Sequence, residues 1–442
     1  MTPAVCGNNI FLTGGTGFLG DEIIRRMCAD TGAHLWVLSR ASEAGGASDR
    51  ILSRLDRAFH DRVTILEGDL SQPVLGLEKN PAALFRRFLD CCDEVFHNGA
   101  DLSFRTDPES RDRVMNSNVG GTTRMLELLK RFRHPVKAFN FVSTAYVHGK
   151  WGGSSFREDD RPTDWQNPYE QSKWKSESLV AESGLPFRVF RPSVIVKEPE
   201  ATTISRDGMY MIADSLARGC QMFRKRAGDA ELALEIMAAT NAAQNFVLRR
   251  DVVDMFMKLR ALPCTLGKKF NTVSPSNTSL THMFDAMAET LGFSYRLVDA
   301  VVTRDPISHM FKRTVIPSYG GYLFNACPTL DQSNVRAALG DRYVDHELTT
   351  IDAGWMKILF RDYFSGITQG EPAPKRPRPR GSQVVVEEPE AEPAEMVAPL
   401  NARGWETVVR VRFLGVENAR GGNVHVWRVR SFKKELSHPQ VE

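Results

Sequence analysis

The chain has 442 residues, of which 42% are hydrophobic and 25% are charged, and its formal net charge is +3. A chain of this length and composition can bury a large core, and we expect one large body with a smaller lobe or appendage. The near balance of charge gives no sign of a nucleic-acid-binding surface, and the seven cysteines lack the paired spacing of a metal site, which favours free thiols in a reducing compartment.

The N-terminal segment shows no targeting sequence. The first predicted strand begins near residue 10 and leads directly into a glycine-rich loop, which leaves no room for a cationic and apolar signal. No apolar run approaches the roughly 20 residues that a membrane-spanning helix needs. We therefore expect a cytoplasmic protein without an integral membrane segment.

Short apolar runs alternate with longer amphipathic stretches from residue 9 to about 195. Apolar runs of this length predict buried strands, and the amphipathic stretches predict helices. The strands are predicted at 10–12, 35–38, 63–66, 94–96, 139–142 and 187–190. This alternation predicts an α/β fold, with a doubly wound parallel sheet of the Rossmann type.

The texture of the sequence changes after Pro199. We assign residues 1–199 to the domain that carries the sheet and residues 200–365 to a smaller, mixed substrate lobe. The stretch 247–275 is a candidate to rejoin the sheet. Within the lobe, helices are predicted near 208–218, 251–261 and 279–291.

The C-terminal part of the chain differs again. Residues 371–399 are rich in proline and in segregated charge, so they cannot bury a core and are predicted to form a linker. Two strands are predicted after it, at 407–413 and 424–430, in a small β element over 400–442. We interpret this element as a docking or oligomerisation module, with an unstructured tail as the alternative.

Residues 13–20 read TGGTGFLG and lie between the first predicted strand and the first predicted helix. In that position a glycine loop places backbone N–H groups against the pyrophosphate of a dinucleotide. The alternative is a strand-to-helix turn that needs small residues only for packing. The candidate cofactor-binding residues of the loop are Gly14, Thr16, Gly17, Phe18, Leu19 and Gly20.

The residues that follow the second and third strands bear on the choice of cofactor. Arg40 stands where an NAD enzyme usually carries an acid against the ribose 2′-hydroxyl, so it favours the 2′-phosphate of NADP over a solvated surface role. Arg50, near the start of the next helix, is either a second phosphate contact or a helix-surface charge. Asp69 and Leu70 are placed at the adenine, with a helix N-cap as the alternative role of Asp69.

A catalytic pair is predicted from the spacing of two residues. Tyr169 and Lys173 are four residues apart, so on a helix both side chains project from one face. A nearby ammonium lowers the pKa of a phenol, which is otherwise near 10 and too high for proton transfer at neutral pH. Thr144, after the fifth strand, is placed to hydrogen-bond a substrate carbonyl. Tyrosine and lysine are common on helices, so the glycine loop upstream is what gives this pair its weight.

Taken together, the loop, the hydroxyl residue after the fifth strand and the YxxxK motif resemble the extended short-chain dehydrogenase/reductases. The resemblance implies that Thr144 is the catalytic Ser/Thr, that Tyr169 is the acid/base and that Lys173 holds the nicotinamide ribose. It also implies that Asn118 steadies the sheet near the cofactor and that Ala100 lines the cofactor cleft.

Finer features are similar to one branch, the thioester reductases and fatty acyl-CoA reductases. The matching segments are 39–42 (SRAS), 68–73 (GDLSQP), 97–104 (HNGADLSF), 118–122 (NVGGT), 169–177 (YEQSKWKSE) and 191–193 (RPS). The resemblance of the segment 191–193 places Pro192 and Ser193 at the cofactor.

The resemblance is specific over 8–196, loose over 197–365 and absent after 370. Three positions depart from the branch pattern. Gly99 replaces a usual alanine, Asp101 stands where a small apolar residue is commoner, and Ser193 replaces a frequent glycine.

The branch implies hydride transfer from NADPH to an acyl thioester, carried by CoA or by an acyl carrier protein, to give an aldehyde or an alcohol. Two alternatives stay open at this point. One is an extended short-chain dehydrogenase/reductase acting on a small ketone, alcohol or nucleotide sugar, since the same three catalytic residues serve all of these. The other is an NADP-binding sensor or scaffold without turnover.

Two histidines are predicted to have structural roles, and the role of a group of methionines and aromatic residues stays open. His97 and His148 have no neighbour at metal-ligand spacing, so we predict packing roles for them and no metal site. The methionines and aromatic residues of 208–223 line an acyl tunnel or face the core, and the pattern does not separate these two placements.

Overall fold

The computed structural model describes residues 8–30, 32–41, 46–199, 208–228, 230–340, 343, 347–368, 396–397, 405–419 and 422–435. The chain divides into two compact units, Met1–Gly370 and Glu371–Glu442. Residues on both sides of position 199 therefore belong to one compact unit.

Several strands of the first unit are only two or three residues long and connect loops rather than build the main sheet. The first unit contains fifteen of the described strands. They are β1 (Asn9–Thr13), β2 (His34–Ser39), β3 (Val63–Glu67), β4 (Glu94–His97), β5 (Ala138–Val142), β6 (Ser155–Phe156), β7 (Phe187–Pro192), β8 (Val194–Val196), β9 (Ala233–Met237), β10 (Ala243–Gln244), β11 (Phe246–Leu248), β12 (Lys268–Thr272), β13 (Thr278–Ser279), β14 (Ser294–Val298) and β15 (Thr329–Leu330).

The α-helices of this unit lie between the strands and after them. They are α1 (Phe18–Asp30), α2 (Asp49–Leu52), α3 (Ala82–Cys91), α4 (Pro108–Met115), α5 (Gly121–Leu129), α6 (Pro168–Glu182), α7 (Met209–Ala227), α8 (Arg249–Arg260), α9 (Leu280–Leu291), α10 (Pro306–Thr314), α11 (Ile316–Leu323), α12 (Ser333–Leu339) and α13 (Ala353–Thr368). Short 3₁₀ helices span Arg57–Arg62, Pro73–Lys79, Ala145–His148 and Pro263–Thr265, and a π-helical turn spans Asn116–Gly120.

Seven strands form the central sheet in the order β12–β7–β5–β4–β1–β2–β3, and every neighbouring pair is parallel. This arrangement confirms the predicted doubly wound sheet of the Rossmann type. All six predicted strands are present, each within two residues of its predicted ends. The strand order reverses between β1 and β4, where the following loops diverge and leave a crevice at the carboxyl ends of the strands.

Alternate residues of β1 show how the sheet is covered on both faces. Ile10 and Leu12 pack in one buried cluster with residues of α1 and α8, whereas Phe11 packs in another with residues of α3 and α5. Because successive side chains of a strand point to opposite faces, an almost continuously apolar strand needs helices on both sides.

The seventh strand of the sheet comes from the C-terminal half of this unit. β12 pairs with β7 from Lys268↔Arg188 to Thr272↔Pro192, so part of the stretch 247–275 returns to the sheet. The three helices predicted after residue 200 correspond to α7, α8 and α9. Of these, α7 and α9 pack with α10, α11 and α13 around a separate buried cluster, which is the core of the lobe.

The second unit contains a three-stranded antiparallel sheet, β16 (Met396–Val397), β17 (Trp405–Ala419) and β18 (Gly422–Glu435), in that order. The two strands predicted after residue 400 are thus present and are longer than predicted. β16 lies within the stretch 371–399, for which the assignment as a linker stays a prediction. The other residues of the predicted linker lie outside the described residues.

Candidate active site

A cavity of about 680 Å³ opens at the carboxyl ends of the sheet strands. Part of its wall, here called the loop half, is formed by residues that follow β1, β2, β3 and β4. The opposite part, here called the lobe half, is formed by residues of α7, β11, α9 and α11 together with Leu102, Phe104, Tyr146 and Gln244. The cavity therefore joins the crevice of the sheet to the core of the lobe.

The glycine loop forms one wall of the loop half. Gly14 has a φ of +74°, and a Cβ atom there would lie 2.7 Å from the backbone nitrogen of Gly99. At Gly20 a Cβ atom would lie 2.0 Å from the carbonyl oxygen of Gly14, so only glycine lets α1 begin this close to the loop. Gly14, Thr16, Gly17, Phe18 and Leu19 line the cavity, whereas the predicted contact Gly20 does not and acts in packing.

Two arginines and one carboxylate form the charged part of the loop half. Arg40 Nη1 lies 3.7 Å from Asp69 Oδ2, and Arg50 donates a hydrogen bond to the carbonyl oxygen of Arg40 at 3.0 Å. All three residues line the cavity. Asp69 also accepts a hydrogen bond from the backbone N–H of Ser71 at 2.8 Å, so its carboxylate shapes the turn after β3 as well as the cavity. Burial, together with Arg40 and Arg54, lowers the pKa of Arg50.

Leu70, Ala100, Pro192 and Ser193 line the cavity as predicted, whereas Asn118 does not. Asn118 is buried in the π-helical turn, where its side chain accepts a hydrogen bond from the N–H of Asp101 at 2.7 Å and donates to Ser172 Oγ at 2.8 Å. It therefore holds the loop after β4 against helix α6. This geometry supports the predicted steadying role and places Asn118 out of contact with the cavity.

Both unusual residues after β4 have a structural explanation. A Cβ atom at Gly99 would lie 2.8 Å from Leu70 Cδ1, so glycine lets this side chain pack closely against the backbone after β4, and Leu70 would have to shift to admit an alanine. Asp101 forms an ion pair with Arg113 at 2.9 Å, and its backbone is held by Asn118. Neither departure places a new charge in the cavity.

Helix α6 positions the predicted catalytic pair. The side chain of Asn167 caps this helix by accepting a hydrogen bond from Glu170 N at 3.1 Å, and Pro168 occupies its first turn. Tyr169 and Lys173 then lie on one face and both line the cavity. Lys173 Nζ donates to the carbonyl oxygen of Val142 at 2.5 Å, and burial lowers the pKa of this lysine to about 7.

Thr144 lies at the end of β5 and caps the 3₁₀ helix that follows. Its Oγ1 accepts a hydrogen bond from Tyr146 N at 3.2 Å and donates weakly to the carbonyl oxygen of Pro192 at 3.5 Å. Thr144 lines the same cavity as Tyr169 and Lys173, so the structure brings the three predicted catalytic residues to one place.

Three buried serines line the cavity wall, and the sequence had identified Ser193 as a site residue but not Ser39 or Ser143. Among the described residues, Ser39, Ser143 and Ser193 find no hydrogen-bond partner for their Oγ atoms, although each is buried and lines the cavity. Unpaired buried hydroxyls are costly, so polar groups of a bound ligand fit this wall. Ser39 directly precedes Arg40, Ser143 directly precedes Thr144, and Ser193 lies in the segment that resemblance placed at the cofactor.

The lobe half carries residues that no motif singled out. The ring of Phe104 stacks on that of Tyr169 with centroids 5.3 Å apart, and it also contacts Tyr319 and Tyr322. Of the methionines and aromatic residues in 208–223, Met209 lines the cavity, while Tyr210 is buried in the lobe core and Met222 is exposed; Ile212 of the same helix also lines the cavity. The helix therefore supplies one side chain of that group to the cavity rather than a row of them.

The two histidines considered in the sequence, His97 and His148, are both buried. His97 is buried and lies 2.7 Å from Thr13 Oγ1, and burial lowers its pKa to about 3. His148 is also buried, and burial lowers its pKa to about 4. Among the described residues, no group of three His, Cys, Asp or Glu side chains is close enough to hold a metal ion. In the same part of the chain, no helix combines the length and apolarity needed to cross a membrane.

Known proteins resemble the chain in sequence and in fold. It is 33% identical over 193 residues to the polyketide synthase-nonribosomal peptide synthetase phmA of Phaeosphaeria nodorum, a match that covers 42% of this chain and 4% of that protein. The terminal R domain from the myxalamid PKS-NRPS pathway shares the fold at a TM-score of 0.64 with 23% identity, covering 82% of this chain and 90% of that one. The UDP-glucose 4-epimerase of Thermus thermophilus, in complex with NAD, shares the fold at a TM-score of 0.57 with 18% identity. That similarity covers 81% of this chain and 99% of the epimerase chain.

A family model for an NAD-binding domain, described as male sterility protein, matches residues 12–245, which is more than half of the chain. The match covers β1 to β10 and thus the loop half, Thr144, Tyr169 and Lys173. The match agrees with the recognised resemblance and with a nicotinamide-dinucleotide-binding domain, and the structural similarity shows a shared fold. The chain belongs to the male sterility protein family of NAD-binding domains.

Proposed function

We propose that this protein is an NADPH-dependent reductase that converts an acyl thioester to an aldehyde and a thiol. The observation that carries the proposal is the convergence of Thr144, Tyr169 and Lys173 on one cavity with the glycine loop. The chain spans 4% of the length of its relative phmA, which is a much longer protein. The thioester substrate is supported by the motifs of the thioester-reductase branch.

The residues of the loop half would hold the dinucleotide. Gly14, Thr16 and Gly17 line the wall for the pyrophosphate, and Asp69 and Leu70 the wall for the adenine. Arg40 and Arg50 support NADP over NAD, because β2 is followed by an arginine and not by the acid that would accept hydrogen bonds from a ribose 2′-hydroxyl. The buried Ser39 hydroxyl beside them offers a further polar contact.

A bound dihydronicotinamide would supply the hydride. The residues of the chain then act on the thioester carbonyl: Tyr169 donates its phenolic proton to the developing oxyanion, and Thr144 donates a hydrogen bond to the same oxygen. The ammonium of Lys173 stabilises the phenolate that remains. In the collapse of the tetrahedral adduct the hydroxyl proton returns to the Tyr169 phenolate as the carbon–sulfur bond breaks, which releases the aldehyde and a thiolate. The thiolate takes up a proton from solvent, so one hydride and one proton are consumed per thioester.

The same three residues suffice for a second reduction. An aldehyde that stays in the cavity presents the same carbonyl oxygen to Tyr169 and Thr144, and a second hydride and proton would give the alcohol. The proposal therefore includes both products, and the released product distinguishes them.

The proposed partner is the thiol carrier of the acyl group, either CoA or an acyl carrier protein. Both carriers end in the same pantetheine thiol, so one cavity serves both. We also propose a reducing compartment such as the cytoplasm, because Cys28, Cys91, Cys92, Cys220, Cys264 and Cys327 are all free.

The test measures NADPH oxidation with octanoyl-pantetheine, octanoyl-CoA and cyclohexanone and, in a separate assay with NAD, the conversion of UDP-glucose to its C4 epimer. We expect turnover with the thioesters and little with the ketone or the sugar nucleotide. A preference for the ketone, or epimerisation of the sugar, would replace the proposal by the corresponding alternative. Binding of NADPH without turnover of any carbonyl compound would favour a sensor or scaffold.

A further inference from the structure

We propose that Glu177 is a positioning residue of this reaction, because it places a fixed negative charge on the face of helix α6 that carries Lys173 and thereby keeps that lysine an ammonium. The inference rests on the proposed function, in which this ammonium stabilises the Tyr169 phenolate. It comes from a buried ion pair that lies one helical turn beyond Lys173, outside the described wall of the cavity.

Lys173 lies in a place that disfavours its charged form. The residue is buried, its Nζ donates to the carbonyl oxygen of Val142 at 2.5 Å, and the same atom lies 4.4 Å from the centre of the Phe141 ring. A carbonyl dipole and an aromatic face carry no full charge, so they replace only part of the hydration that the ammonium loses. Burial accordingly lowers the pKa of Lys173 to about 7.

Glu177 supplies the full negative charge that these partners lack. Tyr169, Lys173 and Glu177 follow one another at intervals of four residues, so they form a row along one face of α6. Glu177 is 1% exposed, so little water screens its charge from that of Lys173. The charge of Glu177 raises the pKa of Lys173 and thus opposes the effect of burial.

Arg191 keeps Glu177 ionised. Arg191 Nε donates to Glu177 Oε1 at 2.9 Å and Nη2 donates to Oε2 at 2.6 Å, which makes a bidentate pair between β7 and α6. Its third nitrogen, Nη1, donates to the carbonyl oxygen of Glu158 at 2.8 Å, and both members of the pair are buried. Because neutralising one member would leave the other charge buried alone, the carboxylate persists through the pH range in which Lys173 titrates.

Other titratable groups face these residues from neighbouring elements. His97 of β4 is neutral near pH 7, because burial and the charge of Lys173 lower its pKa to about 3. Lys269 of β12 lies 4.0 Å from Glu177 Oε2. The carboxyl group of Glu158 accepts hydrogen bonds from backbone N–H groups of β12 and α12, and burial raises its pKa to about 8. Glu158 therefore titrates close to Lys173 in pH and needs its own control.

The kinetic test uses Glu177→Gln, which removes the charge and keeps the size of the side chain. The alkaline fall in kcat/KM for octanoyl-pantetheine, expected near pH 7 in the wild-type protein, should move about one pH unit lower. The variant then loses about tenfold in kcat/KM at pH 8 and changes little at pH 5.5. A residue that only held the helix in place would reduce the rate by the same factor at every pH.

Further variants control for folding and for the other titratable groups. Glu177→Met combined with Arg191→Met replaces both charges by apolar side chains, and it is expected to shift the profile as Glu177→Gln does, even where the single variant fails to fold. Glu94→Gln breaks a pair of the same kind, with Arg260 at 2.5 Å, at the amino end of β4, and Glu158→Gln removes the other group that titrates in this range. Neither of these two is expected to move the profile.

A second measurement needs neither cofactor nor substrate. Urea denaturation gives the difference in free energy of unfolding between a protein that carries Lys173 and the same protein with Lys173→Met. Because the pKa of Lys173 is lower in the folded state than the roughly 10.4 of the unfolded chain, this difference is constant below the folded-state pKa and rises with pH between the two values. We expect the rise to begin near pH 7 in the wild-type background and about one unit lower in the Glu177→Gln background.

The outcomes separate this inference from the proposed function. A downward shift of both profiles supports the inference. A shift of the stability profile in a protein that reduces no thioester removes the proposed reaction and leaves the link between Glu177 and Lys173 standing. If thioesters are reduced but neither profile moves with Glu177→Gln, or Glu94→Gln moves it as far, or the loss of rate is the same at every pH, the reaction stands and the inference is overturned.

Discussion

Tyr322 donates a hydrogen bond to Glu170, the residue that follows Tyr169 on helix α6. The same hydroxyl accepts a hydrogen bond at 2.6 Å from Asn167, the residue that caps this helix. The bond thus ties helix α11 of the lobe to the first turn of the helix that carries the proposed catalytic pair. Burial raises the pKa of Glu170 to about 8, which marks this contact as a polar link in an otherwise apolar region.

The link predicts a positioning role for Tyr322. Tyr322→Phe keeps the ring that packs on Phe104 and removes only the hydroxyl, so we expect kcat for thioester reduction to fall about tenfold while the dissociation constant of NADPH stays unchanged. Tyr343→Phe is the matched control, because that hydroxyl bonds Gln332 and its residue does not line the cavity. Unchanged kcat in Tyr322→Phe, or an equal loss in the control, would remove this role.

Arg40 allows a test of the cofactor. Because a charge-assisted contact with the 2′-phosphate exists only for NADPH, Arg40→Ala is expected to weaken NADPH about 10- to 100-fold and NADH only slightly. Arg133→Ala is the control, since Arg133 is exposed and pairs with Asp90. Titration of intrinsic fluorescence gives the six dissociation constants of the three proteins for the two cofactors. Equal weakening of both cofactors, or a wild-type preference for NADH, contradicts the assignment.

The pH dependence follows from Lys173. Burial lowers its pKa to about 7, so the ammonium that stabilises the Tyr169 phenolate is present below that pH and lost above it. We expect kcat/KM for reduction to fall as pH rises through about 7, since kcat/KM reports the free enzyme. A profile that is flat or rising between pH 6 and 9 would contradict this role.

The stability of the fold provides the control for that profile. The pKa of Lys173 is lower in the folded state than in the unfolded chain, where it is about 10.4. Between these two values the unfolded state binds more protons, so this group makes the free energy of unfolding rise with pH. Loss of activity above pH 7 therefore should occur without a loss of stability from the same residue.

The C-terminal unit is predicted to be dispensable for the chemical step. The proposed catalytic residues and the described residues of the cavity wall lie in the first compact unit, and Glu371–Glu442 is a separate unit. Truncation after Gly370 should preserve kcat with octanoyl-pantetheine, while changing the oligomeric state or the KM for an acyl group on a carrier protein. Gel filtration and steady-state kinetics check both. Loss of kcat in a truncated protein that still binds NADPH would assign these strands to the active site.

The sheet and the loop half were predictable because their signals are local. The glycine loop, Arg40 and the pair Tyr169 and Lys173 each stand at a fixed offset from a strand or from each other, and the structure brings them to one cavity. The packing role of Gly20 was not separable from a cofactor contact, since both require a glycine at that position.

The lobe half was not predictable in the same way. Phe104, Phe246, Leu280 and Tyr319 come from distant parts of the chain and meet only in the folded lobe. In the sequence an apolar residue that lines a cavity has the same pattern as one that faces the core. The pattern therefore did not separate Met209 and Ile212, which line the cavity, from Tyr210, which is buried in the lobe core. The Tyr322–Glu170 bond spans 152 residues of sequence and carries no local signal.

The most direct measurement of the proposed reaction is the fate of the hydride. The protein is incubated with octanoyl-pantetheine and NADPH deuterated at both C4 positions, and the product is analysed by mass spectrometry, with Tyr169→Phe as the parallel variant. The account predicts octanal with one deuterium on its carbonyl carbon, or octanol with two, and a rate lower by about 10²–10⁴-fold in the variant. Octanoic acid as the product, an unlabelled aldehyde, or an equal rate in Tyr169→Phe would contradict it.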